Sequence, residues 1–256
     1  MSIAYAPQGL IGLLTPQANT TVEPEAWALL PAGLSLINGR LVSAAPDLLQ
    51  RLRDYYGDLT PTLTQFANAP LTVLALACTG SSYLMGRQAE QAWVEQWSQR
   101  LGIPVVTAGM AVVQALQQVG AQRLALASPY PNELTLASVA YWQSHGFEVQ
   151  QVQNVATSSQ GFHAIYTTGT DAAAQTVQAL RGSGADAVLM LGTGMPSLQA
   201  ICDGGQSGGP PVLSSMLALM WRASALCHDQ HQNIQPWLNA AQWSGRAHAM
   251  GLLSAP

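Results

Sequence analysis

Charge is scarce in this 256-residue chain, with charged residues making up 9% of it against roughly 25% in a typical soluble domain. Nine Lys plus Arg and thirteen Asp plus Glu leave a net charge of −4 and no basic cluster. Nothing neutralises phosphates along a nucleic-acid backbone, so nucleic acid is excluded as an expected partner. Cysteine is also sparse. Cys78, Cys202 and Cys227 are too few for a disulfide framework and show no Cys-x-x-Cys spacing, so a functional cysteine acts alone. The five histidines have no metal-ligand spacing and receive no role. Long apolar runs are missing too: Ile103 to Val113, broken by Thr107 and Gly109, is too short to cross a bilayer. The start, Met1 to Leu10, lacks the basic segment of a secretory signal, and the expected location is the cytoplasm, with no membrane partner. No Gly-x-Gly-x-x-Gly after a strand and no Gly-Lys-Ser/Thr loop occurs, and the Gly-x-Ser-x-Gly string at Gly205–Gly209 falls in a stretch that reads as a turn before a strand and not as a strand-to-helix elbow, which leaves nucleotide binding and serine hydrolysis without support.

What is present is apolar: 48% of the residues are hydrophobic, enough for a substantial core in one large α/β unit or two small domains. The low charge is compatible with a homo-oligomer. Short apolar strands are predicted at Leu10–Leu14, Leu71–Ala77, Val105–Thr107, Arg123–Ala127, Ala187–Leu191 and Val212–Leu213, alternating with helical patterns, as in a parallel sheet with crossovers. The cluster Asp203 to Pro211, rich in glycine, reads as a surface turn before the last of these strands.

Two parts of the chain match at a nearly constant offset, as an internal repeat does. Thr15-Pro16 corresponds to Ser128-Pro129, and Pro31-Ala32-Gly33-Leu34 to Ser144-His145-Gly146-Phe147, both at an offset of 113. In each copy the glycine is expected to cap a helix before the next strand. The third match, at 114, sets Cys78-Thr79-Gly80-Ser81-Ser82-Tyr83-Leu84 against Gly192-Thr193-Gly194-Met195-Pro196-Ser197-Leu198. The expected fold is therefore α/β, with two pseudo-symmetric, doubly wound parallel halves and the site between them. Residues 1–112 plus 218–256 form the first half and 113–217 the second. Ligands of open α/β sheets sit outside the C-terminal strand ends, so the Cys78 and Gly192 loops are expected to face one cavity.

Cys78 ends an apolar strand just before a helical run through Tyr83, Met85, Ala89 and Trp93. A sulfur at a helix N-terminus meets backbone N–H groups that favour an anion, and such placement commonly lowers a thiol pKa from ~8.5; the competing reading is a small buried core residue. Thr79, Gly80, Ser81 and Ser82 offer donors for a carboxylate or an enediolate, or an ordinary helix cap. Tyr130 and Asn19, both at strand ends, add a phenol and an amide, and each has packing or turn duty as its alternative. Leu14, Tyr83 and Met195 are candidates for pocket walls or for core.

The run Thr15-Pro16-Gln17-Ala18-Asn19-Thr20-Thr21-Val22-Glu23-Pro24-Glu25, the Ala77–Ser81 loop, Ser128-Pro129-Tyr130 and Gly192–Ser197 together resemble the aspartate/glutamate racemase superfamily, in its maleate cis-trans isomerase and arylmalonate decarboxylase branch. The resemblance spans nearly the whole chain. It implies two Rossmann-like halves, no cofactor, no metal, and a small carboxylate held by Asn19, Thr79, Gly80, Ser81, Tyr130, Gly192, Thr193 and Gly194 beside catalytic Cys78. Racemases of this superfamily are similar in carrying one thiol on each face of the substrate carbon. Here the second position is Gly192, and Cys202, ten residues further on, lies in or beyond the next helix. The implied activity is isomerisation of a maleate-like substrate by thiolate addition. The alternatives are decarboxylation of an arylmalonate, with the proton delivered from the face opposite to the usual one, and carboxylate binding without catalysis.

Overall fold

A computed structural model of the protein describes residues 3–157, 164–228 and 232–254. Eight strands fall in chain order: β1 Gly9–Pro16, β2 Leu34–Leu41, β3 Val73–Leu76, β4 Val105–Thr107, β5 Arg123–Ser128, β6 Glu148–Asn154, β7 Ala187–Met190 and β8 Val212–Ser214. The principal helices are α1 Val22–Leu29, α2 Leu48–Tyr55, α3 Thr60–Leu63, α4 Thr79–Met85, α5 Arg87–Leu101, α6 Ala108–Gln118, α7 Asn132–Ser144, α8 Thr170–Leu180, α9 Leu198–Gln206, α10 Ser215–Cys227, α11 Gln235–Leu238 and α12 Ser244–Ala249. Single turns of 3₁₀ helix lie at Thr64–Phe66 and Ala164–Thr167.

The strands build two four-stranded parallel sheets of the same order, β2-β1-β3-β4 and β6-β5-β7-β8. The inner strands β3 and β7 are buried at every residue and β1 and β5 at every residue but the first, which is why their sequences are continuous apolar runs. The edge strands β2 and β6 read differently. β2, Leu-Ser-Leu-Ile-Asn-Gly-Arg-Leu, is half buried and β6, Glu-Val-Gln-Gln-Val-Gln-Asn, faces mostly outward, so neither forms an apolar run.

The three sequence matches fall at equivalent places. Thr15 and Ser128 lie at the ends of β1 and β5, and Cys78 and Gly192 each stand two residues beyond their strands. Gly33 and Gly146 both take positive φ, +84° and +90°. Gly146 follows the end of α7 as expected of a cap, whereas α1 stops at Leu29 and Pro31 intervenes, so Gly33 serves a turn into β2 instead.

Two further expectations are corrected. The helical run after Cys78 is split at Gly86, whose φ of +78° breaks α4 from α5. The cluster after Asp203 is not all turn, because α9 continues through Gly204 and Gly205 to Gln206. A side chain at either glycine would collide with its surroundings: a Cβ on Gly204 would meet Val212 at 2.6 Å, and one on Gly205 the backbone of Leu238 and Asn239 at 2.9 Å. These glycines allow close helix packing. α10 leaves β8 and packs on β1, β3 and β4, so the chain returns to the first sheet after completing the second.

Candidate active site

The loops after β1, β3, β5 and β7 converge on one pocket, reached also by α2 and by the turn at Ala164–Thr167. Cys78, Thr79 and Gly80 follow β3 of the first sheet, Tyr130 follows β5 and Thr193 and Gly194 follow β7 of the second, and Asn19 lies in the loop after β1. Ser81 and Gly192 are not among the lining residues. Leu14, Tyr83 and Met195 are buried and also line no part of it, so they belong to the core.

Asn19 is fixed by its own helix. Its Oδ1 accepts the N–H groups of Thr21 (2.8 Å) and Val22 (3.1 Å) at the start of α1. That sets the amide orientation and aims Nδ2 at the hydroxyl of Thr193, 3.3 Å away in the loop after β7. The Thr193 hydroxyl in turn donates to the carbonyl of Ala77 at 2.7 Å, beside the cysteine. The second Nδ2 proton remains for a ligand. Behind the loop, Arg40 donates to the Asn19 carbonyl at 3.3 Å and pairs with Glu23 at 2.6 Å.

Cys78 is 3% exposed. Its Sγ lies 3.2 Å from the hydroxyl of Ser81, which has one proton and donates it to the Leu52 carbonyl at 2.7 Å. The thiol is therefore the donor in the Cys78–Ser81 contact, and Ser81 is an acceptor held beneath the sulfur. Burial pushes the thiol above its ordinary range, and the N–H groups of Ser81 and Gly80 lower it only in part. The expected thiolate is thus corrected: two helix-terminal donors do not offset the loss of water around the sulfur. Iodoacetamide labelling of Cys78, followed by mass spectrometry, is expected to be slower at pH 7 than that of a free peptide thiol and to rise about tenfold per pH unit until the group titrates. Rapid labelling at pH 7 would contradict this.

Opposite, the Tyr130 phenol is 3.1 Å from the Thr79 hydroxyl, and burial holds it well above the ordinary phenol range, so it stays a donor. Gly192 has φ +82°, and a Cβ there would stand 2.7 Å from Tyr130 Oη and 3.0 Å from Ile165 Cδ1. The space a side chain at 192 needs is filled. Gly194 plays a related part under Tyr166, whose ring would meet a Cβ at 2.6 Å.

Sequence reasoning missed the wall made by Leu48, Arg51, Leu52 and Tyr55 of α2 with Ile165 and Tyr166. No motif marks them, and only the packing of α2 over Gly80 brings them in; a Cβ on Gly80 would meet Leu52 at 2.9 Å. Arg51 is the only charged side chain among the described lining residues. Its guanidinium is steadied on the Ala45 carbonyl by Nε (3.0 Å) and Nη2 (2.7 Å). Burial pushes Tyr55 up to about 12, so this phenol too is neutral. No group of three or more metal-ligating side chains occurs among the described residues, and His163 and His231 lie outside them. No described helix is long and apolar enough to cross a membrane.

A pocket between parallel sheets, at strand C-termini, with one cysteine among neutral donors, defines a small-molecule site of an α/β protein. The model of the family described as arylmalonate decarboxylase matches residues 11–235. The chain belongs to that family, within the maleate isomerase and arylmalonate decarboxylase branch of the aspartate/glutamate racemase superfamily. It is 27% identical over 221 residues to the maleate isomerase of Alcaligenes faecalis, covering 80% of this chain and 85% of that one. In fold it is similar to the maleate cis-trans isomerase of Nocardia farcinica, with TM-score 0.76 and 22% identity over 91% of this chain and 98% of the other. It is similar also to a double mutant of arylmalonate decarboxylase in its liganded form, with TM-score 0.73 and 21% identity over 88% and 94%.

Proposed function

We propose that the protein is a cofactor-independent enzyme that uses Cys78 on a small dicarboxylate and isomerises a cis-enedioate such as maleate. The observation that carries this reading is a lone thiol among uncharged donors from both halves, with one cation, Arg51, on the far wall. The chain is read as residues 1–112 with 218–256 facing residues 113–217 about a pseudo-twofold axis, which the equal strand orders and the return of α10 to the first sheet support.

In this mechanism one carboxylate meets Asn19 Nδ2, Thr79 and Tyr130, and the other meets Arg51. All nine basic residues of the chain are arginines, so no lysine is available for Schiff-base chemistry. The described lining residues include no Asp, Glu, His or Lys, which leaves a substrate carboxylate as the base that takes the thiol proton. Sulfur then bonds to one alkene carbon while the π pair moves into the adjacent carboxylate as an enediolate, stabilised by the neutral donors. The central bond, now single, rotates. Return of the electron pair rebuilds the alkene in trans geometry and expels the thiolate, which recovers its proton.

Arg51→Met is expected to raise KM for maleate roughly 10–100-fold, the worth of one hydrogen-bonded charge pair of ~1.5–3 kcal/mol. It should change KM for the corresponding monoamide by less than about threefold. An equal loss on both substrates would remove Arg51 from substrate recognition.

The protonated thiol favours a second reading, decarboxylation of an arylmalonate, in which the enediolate left after carbon dioxide departs takes its proton from Cys78. Proton NMR of wild type with maleate and with phenylmalonate, in deuterated water, separates the two. Fumarate supports the isomerase and deuterated phenylacetate the decarboxylase, whereas silence on both supports carboxylate binding without catalysis.

A further inference from the structure

Glu25 on α1 is 4% exposed and lies outside the pocket described above. Its carboxyl accepts the Ser197 N–H at 2.5 Å and lies 2.7 Å from the Ser197 hydroxyl, which is also 2.9 Å from Ser214 Oγ. Ser214 accepts Leu217 N–H at 3.1 Å and so caps α10. Two further ties join the same segments: Asn19 Nδ2 to Thr193 Oγ1, and the Thr21 hydroxyl to the Gly194 carbonyl at 2.9 Å. All three ties span 172 to 174 residues. Residues 19–25 of the first half thus grip residues 193–197 of the second, and the gripped loop carries Thr193 and Gly194 to the pocket.

Proton counting gives this grip two states. Ser197 Oγ has one proton and two acceptor neighbours. When Glu25 is ionised it receives both Ser197 donors, and Ser214 donates to Ser197. A neutral Glu25 instead donates to Ser197, which donates to Ser214. The heavy atoms stay bonded either way, but the ionised state has two charge-assisted bonds on the loop.

We propose that Glu25 is a positioning residue of the active site: through Ser197 it sets the placement of the Thr193 and Gly194 donors, more firmly when ionised. This rests on the reading of the Cys78 pocket as the active site. Burial pushes Glu25 up to about 7 despite the hydrogen bonds from Ser197 and from the Leu198 N–H, within the working pH range. The other titratable or charged side chains on α1 and on the elements packed near it are few. Glu23 is paired with Arg40; Arg246 of α12 donates to the Ala28 and Leu29 carbonyls; Arg222 and Cys227 are on α10, Cys202 and Asp203 on α9, and exposed His248 on α12. No charge partner contributes to the Glu25 shift.

The test compares wild type, Glu25→Gln and Glu25→Ala on maleate and phenylmalonate from pH 5.5 to 8.5, with melting temperatures of the ligand-free proteins over the same range. Wild-type kcat/KM should rise with pH through about 7. Glutamine can reproduce the neutral pattern, accepting Ser197 N–H and donating to Ser197 Oγ. Glu25→Gln should therefore lose that limb, staying within about fivefold of the wild-type low-pH value, while Glu25→Ala falls ~30-fold or more, mainly in KM.

The stability sign is fixed independently. A carboxyl raised in the folded state stabilises fully below its unfolded pKa of 4.5, and that contribution is lost as pH rises through about 7. Wild type should therefore lose melting temperature relative to Glu25→Gln between pH 5.5 and 8.5. The comparison cancels His145, which burial lowers to about 4 and which acts with the opposite sign. Persistence of the limb in Glu25→Gln, or wild-type kinetics in Glu25→Ala, overturns the inference. Failure of the underlying site reading shows separately, as a Cys78→Ser variant that keeps wild-type turnover. In that event a pH-dependent melting gap is still required, and its absence overturns the assignment of Glu25. Should Glu25→Ala not fold, Ser197→Ala, which removes the hydroxyl and keeps the N–H, must raise KM or the inference falls.

Discussion

Cys78→Ser is expected to lower turnover of the true substrate by roughly 10³-fold or more while leaving the fold intact. The expectation follows from what surrounds the sulfur. Serine retains a single proton that can be donated to Ser81 Oγ, whose own proton stays on the Leu52 carbonyl, so no buried polar group loses its partner. The chemistry is what changes, because an alkoxide is far harder to form than a thiolate in a site that already disfavours anions by burial. Binding of maleate, measured by calorimetry, should stay within a few-fold of wild type, because Asn19, Thr79, Tyr130 and Arg51 remain. Turnover within tenfold of wild type would remove Cys78 from the reaction, and loss of binding together with turnover would make it a structural residue.

Gly192→Cys is expected to destabilise the fold by about 2–6 kcal/mol, although it places a second cysteine opposite Cys78 in the matched loop. One cost is backbone: φ at 192 is +82°, and a non-glycine residue held there costs ~1–3 kcal/mol. The other is space, since the new Cβ would stand 2.7 Å from Tyr130 Oη, and forcing atoms into a packed site costs ~1–3 kcal/mol more. In a protein of this size that is a fall of about 5–15 °C in Tm. Tyr130 would also be pushed from Thr79, weakening the donor pair. A double variant with Tyr130→Phe should recover part of the steric cost and none of the backbone cost, and the mutant cycle separates the two. An unchanged Tm for Gly192→Cys would show that the loop relaxes freely.

The contrast between Cys78 and Gly192 shows what a linear reading can and cannot reach. Both positions were found by matching loops, and both stand two residues past an inner strand. The match established the pairing, but the filling of the second position by the Tyr130 phenol and Ile165 is a fact of packing between segments more than 25 residues apart. Arg51 and Tyr166 were hidden for the same reason. α2 and the Ala164–Thr167 turn bear no local signature of a site, and they line the pocket only because Gly80 and Gly194 let them lie close over the loops.

The edge strands show a related limit. β2 and β6 complete their sheets by backbone pairing to β1 and β5, an interaction that carries no side-chain pattern. Their polar composition reflects solvent on the outer side, so apolar patterning signalled the inner strands and the buried edge strands β4 and β8 but not β2 and β6.

By itself the sequence determined the α/β class, the inner strands, the repeat that puts four strand-end loops at one place, and the residue types brought there. Those are properties of local pattern: apolar runs must be buried, and glycine and proline punctuate them. Tertiary structure alone decided the burial of the Cys78 thiol, the orientation of Asn19, the closure of position 192 and the hydrogen bonds of Glu25 to Ser197. Each depends on which distant groups exclude water or supply the partner proton, as when Leu52 takes the proton of Ser81 and leaves the thiol to keep its own.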